Sequence, residues 1–494
     1  VNPTELLLSE HIDSGSGDTI ALVERDQEIG YAGLREAAAR YAGMLAEARV
    51  RPGSRALVVS DDSIAAVIAV LGLWWHGCVP VPVNPMLRDA EIAFVAKDSA
   101  AEFVHLNVSP ERKKALRAEL GAIPCFEDDA PARTPDEPFV FQDDDEVLVQ
   151  YTSGSTGRPR GVRHGLSGVK AVLNGFGQVL KLTPDDIVLS TAKLSFGYGF
   201  GNSLLFPLAA GARSVLLPGP VDPFAVAAAL HRHRPTVLCS VPRVYASLLD
   251  LKSRDSKVDV ASVRLAVSAG EHLPVDLAKR LAQTFGFPLV NGLGATEVLH
   301  IVMATAPDDA PKGSTGLPVP GVQVSVRDER GKLLPDGFKG RLHVSTASAA
   351  LGYIDRPDAA TRTFADGGVY TGDLVYSDGD GEIRHVCRAD DVLNLGGFKV
   401  APLEIESVLR DVPGVADCAV VADRDQAGLE QAVAHVVAEH GAEHDAVRRA
   451  IRAAFKERLT PYKRPSRIEI HEVLPTTSTG KLARFRLREP GAPS

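Results

Sequence analysis

The sequence predicts an α/β protein in which a large N-terminal domain, built of layered α/β subdomains and a small β-barrel-like subdomain, is hinged to a small α+β C-terminal domain. Three changes of texture predict it. Over most of the chain, short β-rich runs alternate with helical patterns, which favours parallel strands joined by crossover helices. Beyond about Gly316 the pattern becomes short strands and Gly-rich turns. After about Asp390 a tail of about 100 residues mixes helix and strand, enough for a small domain of its own.

The elements follow in order. Ala56–Ser60 reads as a strand, Ile64–Trp75 as a buried helix with Ser63 at its N-cap, and Cys78–Val83 as the next strand. The unit recurs as Ser214–Leu217, a helix near Phe224–Arg232, and Thr236–Cys239. It recurs again as Arg264–Ser268, Val275–Phe285 and Pro288–Val290. Val322–Val326, Gly340–Val344 and Gly381–His385 suit a small antiparallel sheet or barrel. In the tail, Pro402–Leu409 reads as helix, and Cys418–Val421 and Ala432–Val437 as strands. Asp445–Leu459 reads as an amphipathic helix, with Val447, Ile451, Phe455 and Leu459 on one face. The boundary is expected at 389/390.

Composition bounds the function. The 494 residues are 45% hydrophobic and 24% charged, ordinary for a globular chain with a large core, which excludes disordered and fibrous classes. Lys plus Arg number 54 against 63 Asp plus Glu, so a net charge of −9 repels nucleic acid and anionic lipid. Any anionic ligand must therefore be held by local groups. Five scattered cysteines without a C-x-x-C argue for a reducing compartment and against structural zinc or disulfides. Val1–Glu10 lacks the basic start and apolar run of a signal peptide, and the longest apolar run, Ile64–Trp75, is too short to span a bilayer. The expectation is a cytoplasmic protein with no membrane partner.

The most informative segment runs from Tyr151 to Gly161. After the apolar run Val147–Val149 come Thr152, Ser153, Gly154, Ser155, Thr156 and Gly157, closed by Arg158-Pro-Arg160-Gly. Such a loop offers backbone N–H groups, hydroxyls and positive charge to phosphate oxygens. It is not a Walker loop, because no Gly-Lys-Ser/Thr follows; Thr479-Gly-Lys481 fails the same test, with Leu482 after the lysine and Pro475 where a glycine belongs.

On this segment the chain resembles the adenylate-forming superfamily of acyl- and aryl-CoA synthetases, carrier-loading adenylation domains and beetle luciferases. Further motifs follow in the family's order. Asn291, Gly292, Leu293, Gly294, Ala295, Thr296 and Glu297 resemble the second nucleotide motif, which implies Thr296 at the α-phosphate and Glu297 on Mg2+. Ser268-Ala-Gly270-Glu271 resembles the turn that flanks adenine, and Tyr370–Asp373 the ribose motif, with Asp373 accepting from the sugar hydroxyls. Arg388-Ala-Asp390-Asp resembles the ribose-contacting arginine and the hinge, placing the hinge at Asp390. Leu474–Lys481 resembles the C-terminal motif whose lysine drives adenylation, so Lys481 is the expected catalytic residue. The chemistry has a physical reason: carboxylate attack on a phosphate joins two anions, and the developing charge calls for Mg2+ and a mobile cation.

Within the superfamily the chain looks most like benzoate-CoA ligases and related aryl-CoA ligases. Ala192–Ser203 resembles their acid-pocket loop, which implies Phe196, Gly197, Tyr198 and Asn202 as pocket residues. The extension Glu297-Val-Leu-His300 implies His300 near the ring, and Gly292–Gly294 the opposite wall. The resemblance implies ATP, Mg2+ and coenzyme A, an aromatic acid as substrate, and swinging of the C-terminal domain. Gly397 would then line the pantetheine tunnel, Lys399 reach the AMP phosphate, and Lys463 and Arg464 receive the CoA phosphates. Several positions depart from the family. Arg160 stands where lysine is usual, Cys387 replaces a glycine, and Asn394 replaces a lysine. Gly197 stands where alanine is frequent, which predicts an enlarged pocket and a substituted or bicyclic acid. Alternatives remain: an adenylation enzyme loading a carrier-protein phosphopantetheine, a non-catalytic nucleotide- or acyl-binding protein, or an oxygenase. The oligomeric state, a homodimer included, is not encoded in these motifs.

Overall fold

The computed structural model describes residues 1–126, 137–152, 159–254, 258–307, 309–395, 398–424, 430–477 and 481–488. The expected strand–helix–strand units form. Strand Arg55–Ser60 pairs in parallel with Val79–Val83 and Phe103–Asn107. Between the first two lies helix Ile64–His76, whose first turn is capped by Ser63 accepting from the Ala66 N–H at 3.1 Å. That helix is apolar all round because it is buried nearly all round, against helix Tyr31–Glu47 and the strands.

A nine-stranded sheet forms the body. Strands Ile20–Glu24, Arg213–Leu216, Ile187–Ser190, Val237–Ser240, Leu265–Ser268 and Leu289–Gly294 run parallel, and Ile301–Ala304 turns back antiparallel. Apolar clusters cover both faces, which is why these strands read as continuous hydrophobic runs. The Gly-rich region forms a five-stranded antiparallel sheet, with Val322–Arg327, Gly340–Thr346, Gly368–Ser377 and Ile383–Arg388 around Val326, Leu342, Val344 and Val375.

A separate core begins at Leu393. Helices Pro402–Arg410 and His444–Arg458 pack on one face of the sheet formed by Val415–Arg424, Glu430–Ala438 and Arg467–His471. Val447, Ile451 and Phe455 form the buried stripe of the second helix. Cys387 is a buried thiol pushed up by burial to about 11, which suits packing and not nucleophilic chemistry. Cys78, Cys239, Cys387 and Cys418 are buried and form no disulfide among the described residues. No helix among the described residues is long and apolar enough to cross a membrane.

Candidate active site

Parallel strands of one sheet end at a common edge, and ligands bind there. Leu265–Ser268 ends at the turn of Gly270 and Glu271, while Leu289–Gly294 leads to the short turn Thr296–Val298. The antiparallel sheet supplies the third side. Its register sets Asp373 opposite Arg388. Asp373 is buried; Oδ1 accepts from Arg388 Nη1 and lies near His385 Nε2, both at 3.2 Å. Burial alone would raise its pKa, but Arg388 and His385 outweigh it and hold the carboxyl well below the usual range. Oδ2 is buried and has no partner among the described residues. An unpartnered carboxylate oxygen next to a guanidinium is a ready acceptor for ribose hydroxyls.

Lys481 comes to this cleft from the other domain. Its Cε lies 3.2 Å and its Nζ 3.6 Å from the position a Cβ would take on Gly270. The Leu482 N–H donates to Glu271 Oε1 at 3.1 Å, docking the lysine segment on the N-terminal domain. Arg243 holds this dock, donating to Glu271 at 3.3 Å and to Asp417 of the C-terminal sheet at 2.5 Å. Lys481 and Arg388 each keep accessible surface although protein surrounds them on most sides, the signature of side chains in an open cleft. Those surroundings lower the Lys481 pKa; Glu271 opposes the shift, Arg388 adds to it and Asp373 opposes it.

Glu297 Oε1 accepts from the Tyr353 hydroxyl at 2.6 Å. The Arg160 guanidinium lies 5.9 Å from the centre of the Tyr353 ring, so this departure from lysine keeps its charge at the cleft. Thr152 pairs with Arg160 across the strands Glu146–Thr152 and Arg160–Gly165. Ser153, Gly154, Ser155, Thr156, Gly157 and Gly397 lie outside the described residues. Asn291 commits its amide to the Ser314 carbonyl at 3.3 Å, and Leu293 and Ala295 pack on the core of the antiparallel sheet. This second motif thus offers the cleft chiefly backbone.

The aromatic wall forms as follows. Leu299 has φ +69° and ψ −45°, and the His300 N–H bonds the Val298 carbonyl at 2.8 Å across it, a strained γ-turn. The turn drives the His300 ring into a buried nest of Phe176, Tyr198 and Phe206, with ring centres 4.7–5.7 Å away. Burial pushes the His300 pKa down to about 3, so the ring is neutral and acts as an aromatic surface. Tyr198 donates to the carbonyls of Ser240 at 3.2 Å and Val267 at 3.0 Å, which fixes its ring at the strand ends. Asn202 is fully buried beside it, and Phe196 immediately precedes the short helix Gly197–Phe200 that carries Tyr198.

The structure corrects the expectation of extra room at Gly197. A Cβ on Gly197 would lie 2.3 Å from the Leu299 carbonyl oxygen and 3.0 Å from Gln150 Oε1. The γ-turn has moved backbone into the space of the missing methyl, so Gly197 permits close approach and supplies no argument for a bicyclic acid.

Other expected residues lie elsewhere in this domain arrangement. Lys399 pairs with Glu329 at 3.2 Å on an exposed surface, away from the nucleotide cleft. Lys463 pairs with Glu404 at 2.6 Å, and Arg464 caps the helix His444–Arg458 by donating to the carbonyls of Leu459 and Lys456. Asp390 is exposed in the turn Ala389–Asp391 between the domains' cores. Sequence reasoning missed Arg243, Tyr353, His385, Asp417 and Gln150. None carries a motif signal; each is recognisable only by its partner in space.

Comparison with known proteins identifies the family and the fold. The family model for AMP-binding enzymes matches residues 9–354, and that for the AMP-binding enzyme C-terminal domain matches residues 404–481. The chain belongs to the AMP-binding enzyme family. It is 33% identical to a 4-hydroxybenzoate–CoA/benzoate–CoA ligase of Rhodopseudomonas palustris, over 98% of this chain and 93% of the relative. It is also 33% identical to a p-hydroxybenzoic acid–AMP ligase of Mycobacterium marinum, over 99% of this chain and 69% of the relative. Among solved structures, a benzoate CoA ligase from Burkholderia xenovorans LB400 superposes with a TM-score of 0.90 at 31% identity, covering 99% of this chain and 100% of that one. For this AMP-binding enzyme, the mixed α/β class and the large-plus-small domain plan are those of its relatives.

Proposed function

We propose that this AMP-binding enzyme is an aryl-CoA ligase. It activates an aromatic carboxylic acid with ATP to the aryl-adenylate and pyrophosphate, then transfers the aryl group to the thiol of coenzyme A and releases AMP. The observation that carries the proposal is Lys481 lying against Gly270, beside Asp373 and Arg388, in a cleft that adjoins an aromatic wall.

In the first half-reaction a carboxylate oxygen of the acid attacks the α-phosphorus, and the bond to the β-phosphate bridge breaks. Asp373 Oδ2 accepts from the ribose, Arg388 holds Asp373, and Lys481 neutralises charge developing on the phosphate and carboxylate oxygens. The same desolvation that lowers its pKa leaves the Lys481 ammonium less screened by water, which strengthens its attraction for phosphate oxygens. Glu297 Oε2 is the hard oxygen donor Mg2+ prefers, and the ion would supply further charge neutralisation. Thr296 and the hydroxyl loop are assigned to the phosphates.

The domains are assigned as 1–389 and 390–494, with Asp390 as hinge. Few described polar contacts cross between them: Arg243–Asp417, Glu271–Leu482 N–H, Lys399–Glu329 and Lys339–Glu404. Solvent-accessible pairs of this kind are worth about 0–1 kcal/mol each, so rotation at the hinge has a low barrier to overcome. After rotation, Gly397 lines the thiol path, Lys399 reaches the AMP phosphate, and Lys463 and Arg464 become available to CoA.

The substrate is a benzoate with a polar substituent. Gln150 is buried beside Gly197 with both amide atoms unpartnered among the described residues, a donor and an acceptor for a ring hydroxyl or amine. A second acceptor to test is a carrier-protein phosphopantetheine, which presents the same thiol arm as CoA; one relative is named an AMP ligase, with no acceptor in its name. The test is product analysis with CoA and with a phosphopantetheinylated carrier. Aryl-CoA formation supports the reading; turnover on the carrier alone replaces it, and acid-independent ATP binding without exchange refutes catalysis.

A further inference from the structure

The described residues contain one gathering of metal-ligating side chains outside the cleft, on the C-terminal sheet. Strands Glu430–Ala438 and Arg467–His471 pair in parallel, with His435 opposite Glu469 and Val437 opposite His471. Strand alternation therefore sends His435, Glu469 and His471 to one face, the face away from the two helices, since Ala434 and Val436 take the helix side. His435 Nδ1 lies 2.8 Å from His471 Nε2 and 3.5 Å from Glu469 Oε2. The three ligand atoms fall within 4.8 Å of one another. His435 is almost completely buried, and its Nε2 has no partner among the described residues.

We propose that His435, Glu469 and His471 form a binding site for a zinc-class divalent transition ion, separate from the Mg2+ that serves ATP. Two imidazoles and a carboxylate are the donor set such ions prefer, while Mg2+ prefers oxygen ligands. Tetrahedral Zn2+ with bonds of about 2.0–2.1 Å needs ligand atoms about 3.3 Å apart. The imidazole pair must open by about half an ångström, and Glu469 must close slightly on His435 and approach His471, from which its ligating oxygen lies at most 4.8 Å away. One proton now joins the two imidazoles. Moving it to His435 Nε2 frees both ligating lone pairs, so binding displaces no net proton from the pair. The fourth position opens to solvent on the side of the half-exposed Glu469. Arg467 opposes the ion, 3.6 Å from the other oxygen of Glu469, but is itself paired with Asp423. A bound ion pins the strand from which the chain continues through Leu474 to the segment of Lys481, and so stiffens the platform that presents the lysine.

The test is calorimetric titration of Zn2+ into the full-length, untagged enzyme in buffer containing Mg2+, with Co2+ absorption as a second readout. The expected result is one tight site, tetrahedral Co2+ bands, and a raised Tm. His471→Ala and Glu469→Gln, both at partly exposed positions, are expected to weaken binding at least about tenfold while acid-dependent pyrophosphate exchange is retained. Binding equally tight in both variants places the ion on other histidines and overturns the proposal. So does wild-type protein that binds Zn2+ no better than Mg2+. His435→Ala adds a third arm; if that buried change prevents folding, the two partly exposed variants decide between these outcomes.

Discussion

The acid wall and the nucleotide cleft sit side by side yet are built by opposite means. The wall is dry: His300, Phe176, Tyr198 and Phe206 interlock, His300 is neutral, and glycines allow backbone to touch backbone. The cleft is charged and open, and one of its walls arrives from another domain on a few polar contacts. Shape is fixed where selectivity is needed, and mobility is kept where two half-reactions must share one site.

The largest expected effect that separates the two regions is on Lys481. Lys481→Ala should slow aryl-adenylate formation by about 10²-fold or more, the scale of losing one charge stabiliser. Thioester formation from supplied aryl-adenylate should stay within a few-fold. Equal loss in both half-reactions would erase the distinction between a fixed wall and a movable cleft.

Acid tests the dry region next. His164 and His300 are buried, each with a pKa depressed to about 3. A depressed folded-state pKa contributes stability that is present above the unfolded value of about 6.5 and is lost as pH falls towards 3. Each imidazole should therefore remove about 1.4 kcal/mol of unfolding free energy per pH unit within that window. Denaturant titrations between pH 7 and 5 read this slope, and His300→Phe should flatten it by the share of one histidine. An unchanged slope would mean that His300 is protonated, and the dry wall would then be wet.

A smaller change tests packing. A Cβ on Gly201 would lie 2.4 Å from His300 Cδ2 and 2.8 Å from Phe206 Cε2. Gly201→Ala should cost about 1–3 kcal/mol of stability, as overpacking does, and raise the KM for the acid more than that for ATP. The smallest effect belongs to the dock. Arg243→Ala should slow adenylation about two- to fivefold and leave thioester formation unchanged, measured as separate half-reactions.

The sequence made legible what is local. Strand–helix alternation, the Ser63 cap and the four-residue spacing of Val447, Ile451 and Phe455 each depend on neighbours in the chain. What escaped depends on distant partners. Arg243 meets Asp417 across 174 positions, and Tyr353 reaches Glu297 across 56. The inference from Gly197 failed for the same reason. A missing methyl leaves space only if nothing fills it, and the carbonyl of Leu299, set by a strained turn much later in the chain, fills it.

Formation of aromatic acyl-adenylates in this cleft is the step on which every other assignment depends. Acid-dependent ATP–pyrophosphate exchange across benzoate, hydroxy- and aminobenzoates, naphthoates, cinnamates and short fatty acids tests it most directly. Exchange confined to aromatic acids, strongest with a polar-substituted benzoate and absent in Lys481→Ala, is the predicted result. Exchange that prefers fatty acids, or none with any acid from a fully folded enzyme, would contradict it.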